Sequence, residues 1–341
     1  MTNKVTLSQL AAACGVSAAT VSLALNGRPG VSEGTRQQIL ETARRLGYNA
    51  PPRPVSARRK IATIGMLVKT EPGLPPSSNP FYSQVIAGVD DACRDMGINL
   101  LFATLPVNES NHPTSVPPFI ETTPLDGLLM IGAFLDQTIQ SLLGARTPPI
   151  VLVDGYSDTE RYDMVVSDNF RAAYQAVEHL IRLGHRHIGL VGGYPDCYPS
   201  LCERRNGYAR ALKENGLSQV YAANFNVSRE TGEAEIEDLL TRHPNITAVF
   251  CVNDAVAVNT LRVAHRLGRR VPQDLSIIGY DDIALAAQVT PALTTMRVDT
   301  LAMGRAAVHL LALRIEKPDA ARLTFIIHPT LIERETTAPL A

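Results

Sequence analysis

Polar residues stand at the ends of several short apolar runs, and their chemistry is that of holding a ligand rather than breaking a bond. Asp154 follows Ile150–Val153, Asn253 follows Ala248–Val252, and Asp281 follows the run SIIGY. An ionised carboxylate only accepts hydrogen bonds and an amide both accepts and donates, so such a set suits a ligand rich in hydroxyls. Arg204 adds a rigid fork of donors; its plainer alternative is a surface ion pair with Glu203 or Asp196. Phe81 and Tyr82 follow Asn79-Pro80, where the plain alternative is a proline in the first turn of a helix with Phe81 in the core. Asp254, Asp282 and Asp168-Asn169 read as helix caps.

Catalytic and metal chemistry find little support. There is no Ser-His-Asp order and no nucleophile elbow. His185 and His187 in LGHRHIG are two residues apart at the entry to a strand, which reads as structural rather than metal-ligating. GLVGGY lacks the Lys-Ser/Thr of a phosphate loop and the full dinucleotide fingerprint. The five cysteines (14, 93, 197, 202 and 251) are scattered and lack the spacing of a second metal-binding pair, as in a reduced cytosolic protein. The expectation is a non-enzyme with no cofactor and no metal. The polar N-terminus has no apolar leader core, and no apolar run approaches a membrane span.

The elements that must position these residues alternate. Strands are expected at 61–68, 98–102, 128–131, 150–153, 188–191, 248–252 and 275–279. Helices are expected at 81–96, 170–183, 204–215, 256–267 and 301–315. Short apolar runs alternating with helices indicate doubly wound parallel sheets. Roughly 270 residues hold two such units, and ligands in these folds sit outside the carboxyl ends of strands, here between two lobes. The expected effector-binding and dimerisation domain covers 61–335, with lobe 1 at about 61–164 and 293–322 and lobe 2 at about 165–292 and 323–335. Within it, residues 104–122 form a proline-rich loop with little helical pattern.

Ahead of this body, TLSQLAAACGVSAATVSLALN (Thr6–Asn26) reads as two short helices around a turn at Gly15. Thr6 and Gln9 make a capping-box pattern, Ser17 caps the second helix, and Leu7, Leu10, Ala11, Val21, Ala24 and Leu25 face inward. A third helix runs from Ser32 to Leu46. Three small helices with a polar face on the second form a helix-turn-helix headpiece (1–48) whose second helix enters a major groove. Residues 1–60 carry nine basic and two acidic side chains, a net of +7, which leaves −8 for the rest of a chain whose net charge is −1. A basic headpiece on an acidic body is the footprint of a DNA binder. Prolines 51, 52 and 54 make 49–60 a hinge or linker.

The stretch VTLSQLAAACGVSAATVSLALNGRPGVSEGTRQQILETARRLGY resembles the headpiece of the LacI/GalR (lactose-repressor) family of bacterial transcription regulators. DGLLMIG, PIVLVDG, SDNFRAAYQAVEHLIRLGHRHIGLVGG, RRNGYARALKENGL, AVFCVNDAVAVNTLRVAHRLGRRVPQDLSIIGYDD and PALTTMRVD are similar to its effector domain, in order and spacing. That domain shares its fold with periplasmic sugar-binding proteins. The resemblance implies an all-α helix-turn-helix headpiece, an α/β periplasmic-binding-protein-like domain of two doubly wound lobes, and a cytoplasmic, nucleoid-associated repressor controlled by a small molecule. It implies a homodimer on pseudo-palindromic operator DNA, with no membrane partner. The tail after Ile332 has no leucine heptad, so no tail-held tetramer is expected.

Effector-binding residues on this reading are Phe81, Tyr82, Asp154, Arg204, Asn253 and Asp281, for a sugar or sugar derivative. Purine or nucleoside effectors occur in the same family and remain an alternative. DNA-binding residues are Thr6, Ser17, Ala18, Ala19, Thr20, Ser22, Leu23 and Asn26 of the headpiece, with Val55 and Arg58 of the hinge. Thr20, Ser22 and Asn26 suit phosphates, and Ala18 and Ala19 offer methyl contact. Leu23 stands where many relatives carry an arginine, with core packing as its alternative. The hinge departs from the family: its leucine wedge is missing and prolines are added. It is expected to be extended or partly disordered, with Arg53, Arg58 and Arg59 tracking phosphate or the minor groove.

Overall fold

The computed structural model describes residues 5–25, 30–48, 61–70, 80–108, 110–143, 148–194, 197–227 and 230–340. Asn26 and the whole hinge, with Val55 and Arg58, lie outside the described residues. The chain divides into two compact units, Met1–Lys60 and Ile61–Ala341.

In the first unit α1 is Leu7–Cys14, α2 Ala18–Leu25 and α3 Glu33–Arg45. Thr6 Oγ1 accepts from the Gln9 amide at 3.3 Å, and Gln9 Oε1 accepts from the Thr6 amide at 2.8 Å. This closes the reciprocal box that relieves two orphan donors of α1. Gly15 takes φ 66° at the turn, a left-handed conformation that favours glycine. Ser17 Oγ then accepts from the Thr20 amide at 3.1 Å and Ser32 Oγ from the Thr35 amide at 3.3 Å. Leu10, Ala11, Val21, Ala24, Ile39 and Ala43 form the core, with Leu7 and Leu25 packed at its margin. Arg36 ties α3 to the end of α2 by donating to the Ala24 carbonyl at 3.0 Å.

The second unit begins β1 (Thr63–Thr70), α4 (Pro80–Met96), β2 (Asn99–Pro106), α5 (Phe119–Thr122), β3 (Gly127–Ile131), α6 (Asp136–Leu143), β4 (Ile150–Val153) and β5 (Asp163–Ser167). It continues with α7 (Asn169–Arg182), β6 (Ile188–Val191), α8 (Pro199–Glu214), β7 (Tyr221–Ala223), α9 (Glu233–Arg242), β8 (Ala248–Cys251), α10 (Asp254–Arg266) and β9 (Ser276–Asp281). The 3-10 turn Ala284–Ala287 leads to β10 (Thr294–Arg297), α11 (Thr300–Glu316), β11 (Thr324–Ile327) and β12 (Thr330–Ile332). Two six-stranded sheets result, in the orders β11-β5-β4-β3-β1-β2 and β12-β10-β9-β8-β6-β7; all pairings are parallel except β10 with β12. The continuous apolar strands follow from helices on both faces. In the first sheet Leu67, Leu128, Met130 and Leu152 point toward α5 and α6, while Met66, Val68, Leu129 and Ile131 share a core with Val85 and Val89 of α4.

The chain crosses between lobes at three places, after β5, after β10 and after β11, and these correct the expected lobe boundaries. β10 pairs with β9 and belongs to the second sheet, and β11 pairs with β5 and belongs to the first. The second lobe also extends beyond 335. Thr336 Oγ1 donates to the Ile277 carbonyl at 2.7 Å, and the Leu340 amide donates to Leu183 at 2.8 Å. β2 runs on to Pro106. The proline-rich loop after it is pinned by Asn111, whose Nδ2 donates to Ala133 at 3.1 Å, and becomes helical only at α5.

α4 and α11 cross at glycines. A methyl at Gly88 would strike the Leu301 carbonyl and one at Gly304 the Val85 carbonyl. α11 is also fixed to β5 by Arg314, whose Nε and Nη2 donate to the buried Asp163 at 2.6 and 2.8 Å. Because backbone cannot swing aside as a side chain does, Gly304→Ala should cost about 1–3 kcal/mol of stability. Denaturant unfolding should show a lower midpoint; an unchanged midpoint would mean that the two helices separate freely.

Candidate functional site

In the body, Tyr82, Asp154, Arg204 and Asp281 come together from both lobes. Asp154 ends β4 in the first lobe and Asp281 ends β9 in the second, the carboxyl ends at which open α/β sheets hold ligands. Both take positive φ, 53° for Asp154 and 108° for Asp281, and Asp282 takes 58°. Such conformations cost on the order of 1–3 kcal/mol in a non-glycine residue and concentrate at functional sites. Tyr82, in the first turn of α4, donates its hydroxyl to Asp154 Oδ2 at 2.9 Å. Phe81 turns instead into the first lobe's core, edge-on to Tyr82 at 5.4 Å between ring centroids.

Arg204 lies in α8 and is 5 % exposed, not part of a surface ion pair. Nε donates to Asn169 Oδ1 at 2.8 Å and Nη1 to the Val252 carbonyl at 2.6 Å, while Nη2 stands 3.3 Å from Asp281 Oδ1. Its plane lies over the Tyr280 ring, 3.6 Å from the centroid. Burial works against the guanidinium charge, but Asp281, Tyr280 and Asp154 outweigh it and hold the pKa above its ordinary value. Glu203, one of the ion-pair partners considered for Arg204, instead accepts from Tyr156 of the first lobe at 2.7 Å. A second bridge between lobes runs from Lys69 Nζ to the Tyr198 hydroxyl at 2.5 Å.

The two carboxylates are under strain of a different kind. Burial pushes Asp154 above the usual carboxylate range, with the Arg204 charge opposing. Burial pushes Asp281 up to about 7, again against Arg204. Asp154 Oδ1 and Asp281 Oδ1 are buried without a hydrogen-bond partner among the described residues; the latter has only the 3.3 Å approach of Arg204. A buried acceptor left unmade costs about 1–3 kcal/mol. A ligand bringing O–H or N–H groups would supply what both lack.

Asn253 takes the capping role expected of Asp254. Asn253 caps α10, its Oδ1 accepting from the Val256 amide at 2.9 Å. Asp254 points back across the sheet, accepting from Thr295 Oγ1 at 2.6 Å and from the Ile283 amide at 2.9 Å. Gly279 leaves room for it, since a methyl there would strike Asp254 Oδ1. Asp282 is not a cap either: it pairs with Arg297 at 2.6 Å and Arg334 at 2.7 Å. Asp168 does cap α7, but the adjacent Asn169 is fully buried and orients Arg204. Asn169, Tyr156 and Tyr280 are the neighbours that sequence reasoning passed over. His185 is structural in detail, its ring nitrogens meeting Thr247 Oγ1, Ser276 Oγ and the Ala338 carbonyl at 2.9–3.1 Å.

In the headpiece Ala18 and Ala19 are exposed, and Thr20, Ser22 and Leu23 half-buried, along α2. Leu23 lies outside the headpiece core, where Leu25 packs. Thr6 and Ser17, both exposed, flank the turn helices as caps.

A helix-turn-helix unit and a two-lobed α/β unit with polar groups converging between its lobes define a ligand-responsive DNA-binding protein. A family model described as bacterial regulatory proteins, lacI family, matches residues 6–50, and one for a periplasmic binding protein-like domain matches 177–337. The chain is 33% identical to the HTH-type transcriptional regulator reg1 of Streptomyces lividans over 97% of this chain and 96% of the relative. It is 32% identical to the ribose operon repressor of Haemophilus influenzae over 97% of this chain and 98% of that one. Among solved structures, a transcriptional regulator CelR–cellobiose complex superposes with a TM-score of 0.69 at 29% identity, over 98% of this chain and 100% of that one. The chain belongs to the lacI family of bacterial regulatory proteins, and it is a DNA-binding transcriptional regulator.

Burial lifts Asp254 to about 8, with Asp281 adding to the shift, against an ordinary value of 3.8. A carboxyl raised on folding binds more protons folded than unfolded, so its contribution is complete below pH 4 and is lost as pH rises through 8. Thermal unfolding between pH 5 and 9 should therefore show stability falling with pH in the effector-free chain. Asp254→Asn should make that fall shallower, leaving the part contributed by Asp281, raised to about 7, and an equally steep profile in the variant would place the titration elsewhere.

Proposed function

We propose that this regulator is a repressor whose operator affinity is set by a neutral, hydroxyl-bearing effector, a sugar or sugar derivative, held between the lobes by Tyr82, Asp154, Arg204, Asn253 and Asp281. The observation that carries the reading is the pair of buried carboxylate oxygens without a hydrogen bond, Asp154 Oδ1 and Asp281 Oδ1, contributed by opposite lobes, the second in ion contact with the buried Arg204 guanidinium. Arg204 acts first as the organiser of this pair and offers a ligand only the N–H groups not already directed at Asn169, Val252 and Asp281. Asn253 contributes its amide nitrogen, its oxygen being spent on the α10 cap. The relatives named for ribose and solved with cellobiose favour the same class.

On the DNA side, the headpiece of one chain occupies one half-site of a pseudo-palindromic operator and a second copy occupies the other, as a homodimer. α2 presents Ala18, Ala19, Thr20, Ser22 and Leu23, with Ser17 and Thr6 at the flanks and Asn26, Val55 and Arg58 completing the contacts. Methyl contact and phosphate register dominate over arginine readout. The protein acts in the cytoplasm on chromosomal DNA and carries out no catalysis.

A thermal-shift screen of the full chain against neutral sugars, sugar acids and nucleobases tests the effector class, since a ligand bound only by the folded state raises the midpoint. A neutral sugar should shift it. Asp154→Asn should weaken that sugar by about tenfold or more, the size expected for one charged hydrogen bond. A purine that shifts the midpoint where no sugar does would overturn the sugar assignment. Deleting residues 1–60 should abolish operator binding and spare the thermal shift; retained operator binding would remove the headpiece from its role. Operator affinity of the full chain should also fall steeply with salt.

A further inference from the structure

Two of the five cysteines form a pair. Cys93 and Cys251 are buried in the α/β cores and Cys14 stands alone in the headpiece, whereas Cys197 and Cys202 flank the first turn of α8 and are both partly exposed. The Cys202 thiol donates to the Cys197 carbonyl at 3.2 Å, which folds the Cys202 side chain back onto residue 197. Burial, and then the Cys202 thiol hydrogen-bonded to it, push Cys197 up to about 12. Between them lies Tyr198, the cap residue of α8, whose hydroxyl receives Lys69 of the other lobe. Two residues beyond Cys202 is Arg204.

We propose that Cys197 and Cys202 are a redox-modification site, closed to an intramolecular disulfide by a hydroperoxide, that restrains the Tyr198 turn bridging the two lobes. Burial disfavours the Cys197 thiolate, and Cys202 is assigned as the sulfur that meets the oxidant. Its sulfur attacks the peroxide O–O bond and passes its proton to the departing oxygen, giving Cys202–SOH and water or an alcohol. The Cys197 sulfur then displaces the sulfenic oxygen, and the departing hydroxyl takes the Cys197 proton and leaves as water. One disulfide forms, two thiols are oxidised, and one peroxide is reduced. The ring so closed spans Cys197 to Cys202 and contains Tyr198, Pro199, Ser200 and Leu201. It holds the residue that meets Lys69 and abuts the helix turn that carries Arg204. The thiol chemistry stands independently of the effector assignment; an effect on effector binding rests on the reading of the cleft given above.

The full chain treated with hydrogen peroxide and then denatured for thiol counting should fall from five thiols to three. Peptide mapping should find one linkage, Cys197 to Cys202, reversed by dithiothreitol. Cys202→Ser should block the loss and leave Cys197 reduced, while Cys93→Ser should still lose two thiols. Hydrogen exchange of the oxidised chain should be altered at the Lys69 end of β1 as well as in the first turn of α8. Five surviving thiols, or a linkage through Cys14 or between two chains, would overturn the site. A disulfide formed with exchange at β1 unchanged would overturn its coupling to the lobes.

Discussion

The arrangement between the lobes depends on a buried guanidinium. Placing Arg204 at 5 % exposure would be prohibitive for an isolated charge. Asp281 supplies the opposite charge, Asn169 and the Val252 carbonyl take two of its donors, and the Tyr280 face covers it. The four partners sit at the carboxyl ends of three strands: β5 leads to Asn169, β8 to Val252, and β9 carries Tyr280 and Asp281. The arginine therefore sets the register of three strand ends. It also keeps Asp281 from rising further, because its charge opposes the burial that lifts that carboxyl.

Much of this was legible in the residues. The apolar runs at 150–153 and 188–191 are too continuous for a one-sided sheet, and they became β4 and β6, buried on both faces. Thr6 with Gln9 reads as a capping box at any level of description. The strands that escaped notice are β5, β7, β10, β11 and β12. β10 is TTMR, and its two threonines are buried only because Asp254, Thr336 and Arg334 satisfy their polar atoms. β11 is an edge strand with most of its side chains exposed. β10 has no apolar run and β11, TFII, only a short one, and their sheet membership, which fixes the crossovers, is a long-range fact.

The site was legible in the same uneven way. Asp154 and Asp281 could be placed because they follow strands. That Asn253 and not Asp254 caps α10 could not, since adjacent polar residues after a strand are equivalent until the neighbouring strand is known. Thr295 on β10 and the Ile283 amide draw Asp254 inward, and the cap falls to Asn253. Asn169 was hidden for a related reason. It adjoins the helix-capping Asp168, yet its amide carbonyl faces Arg204 across the sheet-to-helix turn.

These contacts also decide how a ligand acts on the protein. A ligand shifts an equilibrium between lobe arrangements only by the difference in its affinity for them. Asp154 and Tyr82 belong to one lobe, and Arg204 and Asp281 to the other, so a molecule donating to both carboxylates binds well only while the lobes face each other as they do here. The protein's own bridges, Tyr156 to Glu203 and Lys69 to Tyr198, favour the same arrangement before any ligand arrives. The free energy available for signalling is thus what the ligand adds beyond such bridges. By reciprocity, whatever biases the lobe arrangement changes ligand affinity by the same factor. Local strain supports this division of labour. The positive φ of Asp154 and Asp281 aims carboxylate oxygens that make no hydrogen bond among the described residues, so on the proposed reading the gain from bonding them falls to the effector.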